Sequence, residues 1–318
     1  MTRVGAIDCG TNSIRLLVAD VDPGAGLGPA TLVDVVRRME IVRLGHGVDR
    51  TGEIAPEAMA RTLAMAGDYA AQCEKLEVER VRFVATSASR DARNAAEFVD
   101  GVRTAFAAYG IAPEVVTGHE EASLSFRGAT GGLQAHGVDG PYLVVDLGGG
   151  STEFVRGTLD VEQARSVDIG CVRMTERHLR SDPPTAAEVA AATADVDAAI
   201  DEAATTVDLR GLSALVGLAG SVTTITAQAL RLPAYDPARI HLAALPVEQV
   251  VAACTELLTM RRADRAALGF MHPGRVDVIG AGALVWRRIV ERVHRETGIR
   301  QVLTSEHDIL DGIALSLA

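Results

Sequence analysis

Residues 145–157 read VDLGGGSTEFVRG: an apolar run that ends in Asp146, a glycine-rich turn, and a second apolar run. Residues 7–19 read IDCGTNSIRLLVA and align with this stretch without a gap. Each stretch is typical of a β-hairpin. The alignment matches three pairs of residues: Asp8 with Asp146, Gly10 with Gly148, and Ser13 with Ser151. Two hairpins of one design predict an internal duplication, with two related α/β domains.

The chain between and beyond the hairpins alternates in its pattern. Short apolar strands are followed by amphipathic helical stretches, one of which starts at Pro56, a residue favoured at the first position of a helix. The glycine-rich segment GATGGLQAHGVDGP (128–141) separates the two patterns and predicts the joint between the domains. Thr185 and Glu188 form a capping-box pattern before a long alanine-rich helix.

Composition excludes several classes of protein. The chain has 318 residues and a net charge of -11, which disfavours a general nucleic-acid binder. An aspartate at position 8 interrupts any signal-peptide core, and no apolar run approaches the ~18–20 residues that span a bilayer. The four cysteines form no CxxC pair and are expected to be small buried residues in a reducing compartment. We expect a cytoplasmic protein that binds no nucleic acid and no membrane.

The two glycine-rich turns suggest phosphate binding. Turns such as GTNS and GGGST offer successive backbone N–H groups and hydroxyls with little side-chain obstruction, which is how a concave anion site is built. The alternative is that each turn only closes a tight hairpin. Two copies, each preceded by an aspartate, favour the first interpretation.

Acidic residues beside a phosphate site need a cation between them. Mg²⁺ takes one or two carboxylates together with phosphate oxygens and waters. Asp8, Asp146 and Glu153 are therefore candidate magnesium ligands. Structurally, each aspartate could instead cap its own turn.

The stretch VTGHEEASLSF (116–126) carries two further acids at the start of a predicted helix. Glu120 and Glu121 could stabilise the helix dipole, as glutamates in a first turn commonly do. One of them could instead be a general base that takes a proton from an attacking water. Local sequence does not choose between these roles.

Arginines are concentrated in residues 261–300, which hold nine arginines and four acids. A basic strip on an acidic protein would suit a polyphosphate chain. The alternative is that these arginines pair with acids on helix faces.

Six motifs occur in order between residues 7 and 283: IDCGTNSIRLLV, ATSASRDARN, TGHEEA, VVDLGGGSTEF, GLAGSVTT and HPGRVDVIGAGA. As an ordered set they resemble the exopolyphosphatase / guanosine pentaphosphate phosphohydrolase family. The resemblance implies an α/β protein with the duplicated actin-like or sugar-kinase-like ATPase fold, which is ribonuclease-H-like, and two domains flanking a cleft. It implies domains of 1–128 with the C-terminal helix at about 305–318, and 129–304.

The resemblance also implies roles for residues at the matching positions. Glu121 is similar to the base that activates water, and Arg90 to the arginine that contacts phosphate. Asp8, Asp146 and Glu153 are similar to the carboxylates that hold Mg²⁺ and position the water. The phosphate-binding set is implied to be Thr11, Asn12, Ser13, Gly148, Gly149, Gly150, Ser151, Thr152, Gly220 and Ser221.

The implied function is a Mg²⁺-dependent hydrolase of short inorganic polyphosphate, of guanosine pentaphosphate (pppGpp), or of both. A homodimer is a family expectation. The family often has Leu-Arg-Glu-Gly in its last helix, where this chain has Ile309-Leu310-Asp311-Gly312 and lacks the cation. The alternatives are a weakly catalytic sensor of polyphosphate or guanosine tetra- and pentaphosphate, and a kinase or ATPase of the same superfamily.

Overall fold

The chain divides into two units in the computed structural model, which describes residues 1–22, 24, 31–133 and 136–318. Unit 1 consists of Met1–Gly131 together with Ile309–Ala318, and unit 2 of Gly132–Asp308. The glycine-rich segment 128–141 spans the boundary, and its residues 134–135 lie outside the described part. Unit 1 is therefore built from both ends of the chain.

Strands and helices are numbered in chain order. Unit 1 contains β1 (Thr2–Cys9), β2 (Ser13–Asp22), β3 (Thr31–Ile41), α1 (Val48–Thr51), α2 (Pro56–Lys75), β4 (Arg80–Ala85), α3 (Ser87–Asp91), α4 (Ala95–Ala105), β5 (Glu114–Val115), α5 (Gly118–Thr130) and α13 (Ile309–Leu315). Unit 2 contains β6 (Tyr142–Leu147), β7 (Thr152–Gly157), β8 (Val161–Val167), α6 (Cys171–His178), α7 (Ala186–Ala204), β9 (Ala214–Leu218), α8 (Ala219–Ala229), α9 (Pro237–Ile240), β10 (Ala244–Pro246), α10 (Val247–Thr259), α11 (Arg262–Ala266), α12 (Ile279–Thr297) and β11 (Gln301–Thr304).

The two sheets repeat one topology. In unit 1 the strand order is β3-β2-β1-β4-β5, with the first three strands antiparallel and the last three parallel. Unit 2 has the order β8-β7-β6-β9-β11, with the same directions, and adds β10 at the edge. This order and these directions are the ribonuclease-H-like arrangement, so the predicted α/β fold with an internal duplication is confirmed.

Helix ends follow the local sequence. Helix α2 begins at Pro56 as predicted, since proline lacks the N–H that a first helical residue would leave unbonded. Helix α7 has the predicted capping box, in which the Thr185 hydroxyl accepts the Glu188 N–H and the Glu188 carboxylate accepts the Thr185 N–H. The backbone N–H of Thr185 is the main cause that lowers the pKa of the Glu188 carboxyl to about 2.

The core of unit 1 covers both faces of its sheet, because alternate residues of a strand point to opposite faces. Ile7 and Cys9 of β1 pack in a cluster with α2 and α4, whereas Val4 and Ala6 pack in a second cluster with α5 and α13. The side chains in both clusters are mainly aliphatic, as the low aromatic content requires. The ends of β1 and β2 that carry the first glycine-rich turn are thereby held from both sides.

The arginine-rich segment 261–300 is largely neutralised by its neighbours. Five of its arginines form ion pairs: Arg262 with Asp277, Arg265 with Asp182, Arg287 with Glu291, Arg288 with Asp197 and Glu291, and Arg292 with Asp201 and Glu296. A continuous basic strip for polyphosphate stays a prediction for this segment, and these ion pairs count against it. Pairing with helix-face acids, the alternative, describes it better.

Candidate active site

The first loop, Gly10–Ser13, joins β1 to β2. The Gly10 N–H donates to the Ser13 carbonyl at 2.9 Å and closes the turn. The carbonyls of Thr11 and Asn12 accept hydrogen bonds from the segment 42–45, which follows β3. In a planar trans peptide the C=O of one residue and the N–H of the next point in opposite directions. The N–H groups of Asn12 and Ser13 therefore point away from this segment.

The second loop, Gly148–Ser151, is built in the same way. The Gly148 N–H donates to the Ser151 carbonyl at 3.1 Å. The carbonyls of Gly148, Gly149 and Gly150 all accept hydrogen bonds from the backbone of segment 170–173. By the same geometry, the N–H groups of Gly149, Gly150 and Ser151 all point to the opposite side. Three successive N–H groups facing one way form a concave site for an anion.

Segment 170–173 approaches the second loop at backbone contact distance. A Cβ on Gly170 would lie 2.2 Å from the Gly149 carbonyl carbon and 2.4 Å from the Gly150 nitrogen. Nε of Arg173 donates to the Gly150 carbonyl at 2.8 Å. The Thr152 hydroxyl, predicted to bind phosphate, donates to the Ile169 carbonyl at 3.0 Å. The described contacts thus give Thr152 a role in holding the loop.

The aspartate before each loop has a different cross-strand neighbour. Asp8 lies opposite Arg15, whose Nε and Nη2 donate to Asp8 Oδ2 at 2.9 and 2.7 Å. Asp146 lies opposite Glu153, and both side chains are buried. Oε1 of Glu153 accepts a hydrogen bond from the Ser166 hydroxyl at 2.7 Å. The duplicated hairpins have therefore diverged into an acid–base pair in unit 1 and a pair of acids in unit 2.

Glu121 and Arg90 meet in unit 1. Glu121 is 8 % exposed and lies in the first turn of α5, which Thr117 caps by accepting the Glu120 N–H. Nη1 of Arg90 lies 3.3 Å from Glu121 Oε2 and donates to the Val116 carbonyl at 2.9 Å. Arg90 lies in the last turn of the short helix α3, and its side chain is partly buried.

The two neighbouring glutamates of α5 have different surroundings. The Glu120 side chain is 45 % exposed and pairs with Nη2 of Arg82 at 2.8 Å. This is the surface role that a first-turn glutamate commonly has. Glu121 instead has a buried carboxylate beside the Arg90 guanidinium.

The third predicted phosphate-binding element is the start of α8, with Gly220 and Ser221 in its first turn. The guanidinium of Arg275 lies against Gly220, since a Cβ there would be 2.1 Å from its Nη2. Nη1 of Arg275 also donates to the Thr224 hydroxyl at 3.3 Å. A guanidinium and a helix N-terminus together present positive charge, which favours an anion at this position.

Comparison with known proteins agrees with this geometry. The sequence profile of the Ppx/GppA phosphatase family matches residues 17–317. The chain belongs to this family. Exopolyphosphatase 2 of Mycobacterium tuberculosis is 53 % identical over 320 residues, covering 100 % of this chain and 99 % of that protein. As a member of the Ppx/GppA phosphatase family, the chain is an enzyme.

Solved structures related to the Ppx/GppA family extend the likeness to the whole fold. The crystal structure of an exopolyphosphatase-like protein superposes with a TM-score of 0.93 at 43 % identity, covering 99 % of this chain and 98 % of that one. The crystal structure of the Aquifex aeolicus Ppx/GppA family member superposes with a TM-score of 0.79 at 28 % identity, covering 99 % of this chain and 97 % of that one.

Motif reading missed three arginines of this Ppx/GppA chain. Arg15 stands at the position that the duplication matches with Glu153, so the alignment of the two hairpins contained its signal. Arg173 and Arg275 carried no signal, because each reaches its partner through tertiary packing. Arg15 follows the first loop, Arg173 bonds the second loop, and Arg275 lies against the start of α8. Each predicted phosphate-binding element therefore has an arginine next to it.

Neither a metal-binding cluster nor a membrane-spanning helix is present in the described part of the chain. Within residues 1–22, 24, 31–133 and 136–318, no group of three or more histidine, cysteine or acidic side chains is arranged to hold a metal ion. In that same part of the chain, every helix is too short or too polar to cross a bilayer.

The four cysteines of this Ppx/GppA enzyme are free and buried, as predicted. Burial, reinforced by the Asp8 carboxylate, raises the pKa of the Cys9 thiol, and burial raises the pKa of Cys73 to about 12. Because the thiolate is the nucleophile, neither cysteine is suited to covalent catalysis at neutral pH.

We expect iodoacetamide at pH 8 to leave phosphate release by the native protein unchanged. Rapid inactivation with labelling of Cys9 would contradict this.

Proposed function

We propose that this chain releases the terminal phosphate of inorganic polyphosphate, preferably from short chains, and hydrolyses pppGpp to ppGpp. The observation that carries the proposal is the second loop, whose three N–H groups face one way beside two buried carboxylates. The similarity to a mycobacterial protein called exopolyphosphatase 2, over the full length, supports polyphosphate as substrate.

The proposed reaction is hydrolysis by an activated water. Backbone N–H groups bind the terminal phosphate, and Arg90 offsets the charge that develops on it. Glu121 orients a water and accepts its proton while the water oxygen attacks the terminal phosphorus. The bond from phosphorus to the bridging oxygen breaks, and the shortened chain leaves with that oxygen. Phosphoryl transfer depends mainly on such positioning and charge neutralisation.

The residues of unit 2 fit the predicted Mg²⁺. Residues directly opposite on antiparallel strands have Cβ atoms roughly 4.5–5.5 Å apart, and like charges there are destabilising. Asp146 and Glu153 form such a pair, so a divalent cation would relieve their repulsion. Two carboxylates suffice for Mg²⁺, which completes its shell with phosphate oxygens and water. When bound, the ion would neutralise charge on the phosphate.

Asp8 has a different environment from the other predicted metal ligands. Arg15 occupies one of its carboxylate oxygens through two N–H groups. We propose that Asp8 acts mainly by holding Arg15 beside the first loop, and that any contribution to Mg²⁺ runs through water.

The setting of the reaction follows from residues outside the site. Four buried free cysteines suit a reducing compartment, so we place the enzyme in the cytoplasm. A homodimer remains the proposed assembly, and sedimentation of the purified protein would measure it.

The test is phosphate release from tripolyphosphate, long-chain polyphosphate, pppGpp and ATP, with Mg²⁺ and after chelation by EDTA. We expect release from tripolyphosphate and pppGpp that falls to background with EDTA and returns with Mg²⁺. Tight binding of ppGpp without release from any substrate would favour the sensor instead. Phosphorylation of an acceptor by ATP would favour a kinase.

A further inference from the structure

The C-terminal helix α13 is packed into unit 1 against α5, the helix that carries Glu121. Its apolar residues Ile309, Leu310, Ile313 and Ala314 are buried with Leu124 of α5 and with strands β1 and β2. At Gly312 the two helices come into backbone contact, since a Cβ there would lie 1.9 Å from the Leu124 carbonyl oxygen. Only glycine permits this distance.

An ion pair ties α13 to the sheet. Nη2 and Nη1 of Arg37 on β3 donate to Oδ1 and Oδ2 of Asp311 at 2.6 and 3.3 Å. The Asp311 side chain is 3 % exposed. Removing one partner of a buried pair leaves the other charge without compensation, so the pair resists displacement of α13. Leu310 stands where the family motif has an arginine. The next residue, Asp311, is paired instead with Arg37 from strand β3.

A second arginine joins the C-terminal segment to the first turn of α5. Nη1 of Arg82 donates to the Ser316 hydroxyl at 2.9 Å, and Nη2 donates to Glu120 Oε1 at 2.8 Å. Glu120 precedes Glu121 directly. One guanidinium therefore connects the end of the chain to the turn that carries the base.

We propose that α13 positions the catalytic base, with Gly312 as the positioning residue and the Arg37–Asp311 pair as its lock. The inference rests on the proposed function, in which Glu121 is the base. Leu124 follows Glu121 by one helical turn, so any side chain at position 312 pushes on the peptide that supports the base. A displacement of about 1 Å at a catalytic group can cost on the order of 10²-fold in rate.

The test is Gly312→Ala, assayed well below its melting temperature so that the folded fraction matches that of the wild type. We expect kcat on tripolyphosphate to fall by on the order of 10²-fold. The KM and the affinity for pyrophosphate, measured in the absence of turnover, should be unchanged, because the atoms that the added methyl group meets are backbone atoms of Leu124 on α5. Gly67→Ala is the matched control, since a Cβ at that position in α2 meets nothing within 4 Å.

The double variant Gly312→Ala with Glu121→Gln separates positioning from general destabilisation. If α13 acts through Glu121, the second substitution adds little to the loss caused by Glu121→Gln. Multiplication of the two losses would overturn the inference, and so would an unchanged kcat in a folded Gly312→Ala variant. Asp311→Asn gives a second approach if Gly312→Ala does not fold, with the same fall in kcat at unchanged KM.

Failure of this inference is distinguishable from failure of the proposed function. If Glu121→Gln alone keeps full turnover, the base assignment is wrong and the inference falls with it. If Glu121→Gln collapses turnover while Gly312→Ala does not, only the inference is wrong.

Discussion

Glu121→Gln is expected to lower kcat for phosphate release by about 10²–10⁴-fold, the usual loss when a general base is removed. Glutamine keeps the size of the side chain and its place beside Arg90, but it cannot accept the proton of the attacking water. The KM should stay within about threefold, because the substitution removes an interaction that matters only in the transition state. Steady-state kinetics with Mg²⁺ and tripolyphosphate measure both constants.

Glu57→Gln is the control for this substitution. Glu57 is an exposed glutamate in the first turn of α2. It shares with Glu121 the position that stabilises a helix dipole, and it has no proposed part in the chemistry. Equal, small effects of the two substitutions would mean that Glu121 is only a first-turn stabiliser, and the base assignment would be wrong.

Gly170→Ala is expected to have the second largest effect. The added Cβ would fall within 2.4 Å of three backbone atoms of the second loop, so the loop or the segment must shift. A shift of about 1 Å in the phosphate-binding N–H groups should lower kcat/KM by on the order of 10²-fold. Pyrophosphate binding should weaken as well, because the loop holds the ground state too. A loss of both kcat/KM and pyrophosphate affinity differs from the pattern expected for Glu121→Gln, in which only kcat falls.

Gly67→Ala serves as the control here too, since alanine at that position meets open space. Calorimetric titration with pyrophosphate and steady-state kinetics on both variants decide the matter. Normal pyrophosphate binding by a folded Gly170→Ala variant would mean that the second loop is not the anion site.

The repeated hairpin explains how much of the fold could be predicted. Asp8 and Asp146, each at the end of an apolar run and before a glycine-rich turn, were enough to predict two related units, because strand and turn patterns are local. Sheet order is not local, and the duplication predicts only that the two units share one order, as they do. The short edge strand β10 escaped prediction because three residues leave no periodicity.

The candidate site was predictable in its residues but not in its contacts. Arg90 and Glu121 were both singled out by motifs, but 31 residues separate them, and no pattern placed one guanidinium on that carboxylate. The support that Arg173 gives to Gly150 is of the same kind. Contacts between segments far apart in sequence depend on how helices pack on the sheet, and a single sequence does not record that packing.

The construction of unit 1 from both ends of the chain has a consequence for synthesis on the ribosome. Unit 2 is continuous from Gly132 to Asp308, so it takes no segment from another part of the chain. Unit 1 emerges first, but its second cluster is complete only with the side chains of Ile309, Leu310, Ile313 and Ala314. Unit 1 can therefore complete its core only after unit 2 has been synthesised, which departs from the usual order in which the N-terminal domain folds first. A nascent chain stalled before residue 309 would expose the apolar face that α13 covers, and a truncated product would be a natural target for chaperones and proteases.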